Sequence, residues 1–136
     1  MLDISKFKPF DFTEGVPYIS ITENGITFSK GVVSKLGRPP RVELLINDVD
    51  KQFIIRACNI NKTCSNSFYK ENSKTKYVRW NNKNLLMTIE NIMDCDLSKY
   101  AYRVDGQYIS EEKAILFDLN NAAKVLWSNE KVISNH

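Results

Sequence analysis

Apolar and polar positions alternate in short runs along this chain and switch to helical spacing at a few places. Residues 18–21 and 26–28 alternate around Asn24-Gly25, a dipeptide suited to the two positive φ angles of a type I′ hairpin turn. Ser29 then offers a hydroxyl as N-cap. A short helix is expected to follow, with Val32, Val33 and Leu36 on one side, Gly37 closing it and Pro39-Pro40 barring continuation. So short a helix persists only if it is packed. Residues 41–47 and 52–58 read as strands about a turn at 48–51. Val42, Leu44 and Ile46 share one face, and Phe53, Ile55 and Ala57 share another. Leu45 and Ile54 fall on the opposite faces, so cover is expected on both sides.

The second half reads similarly. Residues 77–80 form a strand, and Asn81 or Asn82 caps a helix over 82–93. Its stripe, Leu85, Leu86, Ile89, Ile92 and Met93, follows helical spacing. A second hairpin is expected from 100–104 and 107–119 about Asp105-Gly106, with 114–119 as its firm part. A last short helix is expected over 121–127, capped by Asn120 and facing inward with Leu119, Ala122, Ala123 and Leu126. Residues 128–136 read as a frayed tail. Residues 1–17 read as an extended arm, because Pro9 and Pro17 forbid a long helix; Phe7, Phe10 and Phe12 are expected to pack on the body.

Both halves therefore run strand, cap, helix, strand, turn, strand. We expect one α+β domain of 136 residues, built from duplicated β-α-β-β units that close into a barrel-like or swapped-hairpin core with two or three short helices. The first unit spans 18–58, the second 77–127, and a polar basic loop of 18 residues, 59–76, lies between them; loops that long are uncommon unless they have a role.

Charge sharpens this picture. The net charge is only +3, but residues 56–83 carry seven basic residues against the single acid Glu71. Two constellations suit an anionic partner. Lys30, Lys35, Arg38 and Arg41 surround the first helix and its exit. Lys70, Lys74, Lys76, Arg79 and Lys83 lie beside Tyr69, Tyr77 and Trp80, and cations with aromatics suit nucleic acid or nucleotides. The plainer alternatives are a solvated loop and core aromatics.

Other chemistries are thinly represented. The one histidine is His136, at the last position, so hydrolytic triads would depend on a chain end. Cys58 and Cys64 are too far apart in sequence for the usual zinc pair, and Cys58 and Cys95 read as buried thiols. Glu90, Asp94 and Asp96 read as a solvated face rather than a metal site. No glycine-rich phosphate loop is present. We expect no enzyme activity and no cofactor. No apolar run is long enough to span a bilayer and the N-terminus is unlike a signal peptide, so a cytoplasmic protein without a membrane is expected.

Residues 29–37, Ser-Lys-Gly-Val-Val-Ser-Lys-Leu-Gly, followed by hydrophobic strands, resemble the AbrB/MraZ swapped-hairpin transcription-factor domains, whose strand leads into a short helix and then a hairpin. Lys30, Lys35, Leu36 and Gly37 carry the match, while Ser29 stands where the family has proline. The resemblance covers about a quarter of the chain and implies a DNA-binding homodimer, or a pseudo-dimer within one chain. More loosely, segments 17–30, 42–53, 78–86 and 102–120 resemble small phage and prophage proteins of low-GC Gram-positive bacteria. That resemblance implies no activity, but it favours regulators and proteins that disable host defences; taken with the AbrB-like match, the expected function is a nucleic-acid-binding regulator, with a counter-defence protein as the alternative: an anti-CRISPR-type inhibitor of a host protein, or a protein that sequesters nucleotides.

Overall fold

The structure is a computed structural model, and it describes residues 2–7, 16–58 and 66–126. Tail residues 128–136, and with them His136, Phe10, Phe12 and Cys64, lie outside the described residues. Among the described residues, nine strands and two α-helices follow in order: β1 (Tyr18–Thr22), β2 (Gly25–Phe28), α1 (Lys30–Lys35), β3 (Arg41–Asn47), β4 (Gln52–Ala57), β5 (Asn66–Ser67), β6 (Val78–Trp80), α2 (Lys83–Met93), β7 (Tyr100–Ile109), β8 (Ala114–Asp118) and β9 (Ala123–Leu126). All pairings are antiparallel, and the strands form one curled, half-barrel sheet in the order β5-β3-β4-β8-β7-β1-β2-β6. Strand β9 also pairs with β7.

Alternation decides which side faces in. Ile19, Ile21, Phe28, Ile55, Ile115 and Phe117 are completely buried. Helix α1 begins at Ser29, whose Oγ accepts from the Val32 N–H, and it buries Val32 and Val33. It ends as expected: Gly37 follows with φ 84°, a left-handed conformation that costs glycine nothing. Helix α2 begins at Asn82, whose Oδ1 accepts from the Leu85 N–H at 2.9 Å. Leu86 and Ile89 are buried, while Leu85, Ile92 and Met93 pack against the core more openly. Burying a residue such as Ile89 contributes roughly 1.5–3 kcal/mol, far more than the helix's own propensity.

Five expectations need correction. The first hairpin exists, but its two-residue loop is Glu23-Asn24, not Asn24-Gly25, and Asn24 has no positive φ. Gly25 instead opens β2 with φ 154°, where a Cβ would sit 2.5 Å from the Trp80 carbonyl oxygen. The second hairpin does not turn at Asp105-Gly106. Residues 100–109 form one strand, and the turn lies at 110–113, with Lys113 at φ 52°. Gly106 is needed for space: a Cβ would lie 2.5 Å from Ile115 Cγ2 and 2.8 Å from Phe117 Cε1.

The expected helix over 121–127 is a 3-10 turn at Leu119–Asn121 followed by strand β9. The Asp118 carboxylate caps the turn by accepting from the Asn120 N–H, and the chain then runs on along β7. Phe7 does not pack on the body; it is exposed, after a 3-10 turn at Ile4–Lys6.

Strands β3 and β4 form the expected hairpin, but their two apolar sets share one face, because Leu44 lies opposite Ile55 and Ile46 opposite Phe53. On the other face the cover is partial. Glu43 is buried there and receives Arg56 Nε at 2.7 Å, whereas Leu45 is exposed.

Candidate nucleic-acid interface

Two prolines in a row carry no N–H, so the segment after α1 can offer only acceptors. Gly37 and Arg38, both at positive φ, turn the chain so that these acceptors meet another segment. The Pro40 carbonyl accepts from the Phe68 N–H at 2.8 Å, and the Pro39 carbonyl from the Tyr69 N–H at 3.1 Å. Arg41 pairs with Ser67 and its Nη1 reaches the Ser67 hydroxyl at 3.5 Å. Two constellations separate in sequence thus become one corner: Arg38 and Arg41 stand beside Tyr69 and Lys70.

Beyond this corner the two ends of the sheet approach each other. Trp80, closing β6, donates its indole N–H to the Ser67 carbonyl of β5 at 3.2 Å. Phe28, Phe68 and Trp80 meet edge to face, with centroids 4.9 Å apart for Phe28–Trp80, 5.4 Å for Phe28–Phe68 and 6.1 Å for Phe68–Trp80. Strands β5 and β6 do not pair, so a seam remains between them.

Two hollows flank the seam. The larger, about 410 Å3, is lined by Leu44, Asn66, Ser67, Arg79, Trp80, Asn81, Asn82 and Leu85. The smaller, about 170 Å3, lies among Phe68, Tyr69, Lys70, Ser73, Thr75, Tyr77, Val78 and Arg79. Its wall is built locally: Thr75 Oγ1 donates to the Tyr77 carbonyl, and the Ser73 and Thr75 hydroxyls lie 3.1 Å apart. Arg79 lines both hollows. It is opposite Thr27 on β2, which is opposite Ser20 on β1, which is opposite Arg103 on β7. Two arginines therefore flank a hydroxyl-bearing strip on the outer face, where the Arg103 guanidinium lies 3.8 Å over the Tyr18 ring and donates to Asp105.

The remaining sequence-derived candidates are distributed elsewhere. Lys74 and Lys76 are exposed on the loop before β6, next to Tyr77, which is exposed too. Lys30 is exposed at the start of α1. Lys35 lies 5.2 Å from the Tyr108 ring centroid, toward the β7–β8 turn. Lys83 shares a different hollow with Glu23 and Glu90, where carboxylates offset its charge. Trp80 is half-buried and occupied by the core and the Ser67 carbonyl, so Tyr77 is the open ring of the three aromatic candidates.

The carboxylates after α2 serve the backbone. Glu90 Oε2 accepts from the Leu97 N–H at 2.9 Å, and Asp94 ends the helix at φ 55°. Asp96 accepts from the Ser98 hydroxyl and N–H, bonds that hold its carboxyl below the usual range. Cys58 and Cys95 are half-buried; burial pushes the Cys95 thiol up, and Glu90 adds to the shift.

Sequence reasoning did not identify Asn66, Ser67, Asn81 and Asn82 as one polar lining. The last two were legible as helix caps, but nothing local marks a two-residue strand. No family model, no curated protein and no solved structure matches the chain.

Proposed function

We propose that this chain works by binding rather than catalysis, as a phage or mobile-element regulator of the AbrB-like kind. Nucleic acid is its partner, and the basic corner and seam are the contact surface. One observation carries the reading: the Pro39 and Pro40 carbonyls, bonded to the Tyr69 and Phe68 N–H groups, hold Arg38 and Arg41 beside Lys70. Arg79 and Tyr77 extend this surface. Clustered guanidinium and ammonium groups position phosphates, and an exposed ring offers a face to a base. The amide and hydroxyl lining of the larger hollow supplies donors and acceptors for base or sugar edges.

We also read the fold as a duplication. Strands and helix β2-α1-β3-β4 and β6-α2-β7-β8 have the same order, and both helices are capped by a side chain that accepts from the third helical N–H. Counterpart strands pair antiparallel with each other, β2 with β6 about Thr27 and Arg79, and β4 with β8 about Ile54 and Leu116. A twofold relation between units produces such pairing. On this reading the seam is the place where the β1–β2 pairing has no full counterpart, which leaves polar groups available to a ligand. The arrangement suits the pseudo-dimer implied by the AbrB/MraZ resemblance.

The test is binding of labelled duplex and single-stranded oligonucleotides at low salt. The expected result is an affinity that falls steeply with salt. Failure to bind either form, together with recovery of one major protein from a bacterial lysate, would replace this reading with that of a host-directed counter-defence inhibitor.

A further inference from the structure

One row of side chains on strands β6, β2, β1 and β7 faces away from the core: Arg79, Thr27, Ser20 and Arg103, each opposite the next. Side chains alternate faces along a strand, and the neighbours Ile19, Ile21, Ile26, Phe28 and Val104 are buried on the other face. Arg79 and Arg103 are exposed. Ser20 and Thr27 are half-buried, and among the described residues no hydrogen bond engages either hydroxyl.

The two arginines lean toward opposite ends of this face. Gly25 shares the face with Thr27, and Arg79 Nε lies 3.3 Å from the point a Gly25 Cβ would occupy, so the missing side chain leaves the arginine a lane. Tyr18 shares the face with Ser20, and the Arg103 guanidinium lies over its ring. Gly25 is opposite Thr22, at the far end of β1 from Tyr18. The two cationic groups are therefore spaced by about 13 Å along the strands, at roughly 3.3 Å per residue. The Ser20 and Thr27 hydroxyls lie midway. An acid stands here too: Asp105 accepts from Arg103 Nε at 3.1 Å, with the two side chains 65% and 46% exposed. So exposed a pair contributes little and exchanges readily.

We infer that this face is a track for the sugar–phosphate backbone of a nucleic-acid strand, which passes from the basic corner over Arg79 and the two hydroxyls to Arg103. Guanidinium groups hold phosphate oxygens through paired N–H donors, and each hydroxyl can bond a phosphate oxygen or a sugar hydroxyl. Arg79 joins the two surfaces, because it also lines the hollow beside Lys70 and Tyr77. The four side chains of the row carry no aromatic ring and no amide, so the track fixes the path and length of the strand rather than its sequence. The inference rests on the reading of the corner as a nucleic-acid surface.

The test is the affinity of the full chain, at about 50 mM salt and above, for single-stranded and duplex oligonucleotides of roughly 4 to 16 nucleotides, the span of single-strand site sizes. Arg103→Gln is expected to leave the shortest bound oligonucleotides unaffected. It should weaken the longer ones roughly tenfold and reduce their salt slope by about one. Asp105→Asn, which releases Arg103, is expected to strengthen binding of the longer ones severalfold, an effect that a merely structural role for Arg103 would not give. The form whose affinity depends on Arg103, single strand or duplex, identifies the source of the backbone.

An Arg103→Gln variant that binds every length as the wild type does, or loses the same factor at every length, overturns the track and leaves the corner in place. Absence of binding to any oligonucleotide overturns both. Should Arg103→Gln fail to fold, Asp105→Asn decides: long oligonucleotides bound no more tightly than by the wild type overturn the track.

Discussion

The Trp80 indole N–H bonds to the Ser67 carbonyl at 3.2 Å and so ties together the two ends of the curled sheet. Trp80→Phe keeps most of the packing against Phe28 and Phe68 and removes the donor. It should cost about 1 kcal/mol, the net worth of an ordinary hydrogen bond, measured by urea unfolding. A variant as stable as the wild type would mean that this bond does not hold the seam.

Gly106 has no room for a side chain. Gly106→Ala is expected to destabilise by roughly 1–3 kcal/mol, because Ile115 and Phe117 must shift within a packed core. Thermal melting checks it. Had Asp105-Gly106 been a surface turn, the cost would have been far smaller.

Glu43 and Arg56 form the shortest ion pair among those described, with Glu43 buried and Arg56 one-third exposed. The Glu43 carboxylate, by hydrogen bond and charge, holds the Arg56 guanidinium above its ordinary pKa. Arg56→Met leaves that carboxylate without the partner and should cost about 1–3 kcal/mol. Glu112, at 3.4 Å and 61% exposed, is the outer partner, and Glu112→Gln should change stability by less than about 0.5 kcal/mol. Equal effects would contradict the burial argument.

Burial raises both the Cys95 thiol and the Tyr102 hydroxyl above their ordinary values of 9.0 and 10.0, and the two groups line the same hollow. An acid whose pKa is higher folded than unfolded favours the fold while it is neutral. Between the unfolded and folded values the unfolded chain binds fewer protons, so stability falls as pH rises. Stability should therefore be undiminished by these groups below about pH 9 and decline above it. Tyr102→Phe, which cannot ionise, should flatten part of that decline in melting temperature against pH. An unchanged slope would remove Tyr102 from the account.

Much of the fold was legible because local chemistry and tertiary packing agree. Ser29 and Asn82 cap the helices that their sequences announce, and the α2 stripe faces the core. The misreadings have specific causes. Asp-Gly signals a hairpin turn, but Gly106 is glycine for lack of space, which no neighbour in sequence reveals. Ala122, Ala123 and Leu126 fit a helical face, yet Asp118 caps a 3-10 turn and pairing with β7 takes over.

Of the candidate site, the residue types were legible and their grouping was not. Arg38 and Lys70 are brought to one corner by bonds between proline carbonyls and amides 28 and 30 residues away, Phe68 N–H to the Pro40 carbonyl and Tyr69 N–H to the Pro39 carbonyl. Nothing in the local pattern encodes that junction. Lys35 and Lys83 look equivalent to the others in sequence, but their surroundings separate them.

The most direct measurement is the oligonucleotide affinity of the wild type and of single charge reversals, taken from about 50 to about 200 mM salt. Lys70→Glu and Arg79→Glu are expected to weaken binding roughly tenfold or more and to reduce the salt slope by about one each. Lys35→Glu and Lys83→Glu, which lie off the corner, should have little effect. Binding that is absent at low salt, or that Lys83→Glu weakens as much as Lys70→Glu does, would contradict the placement of the partner on this surface.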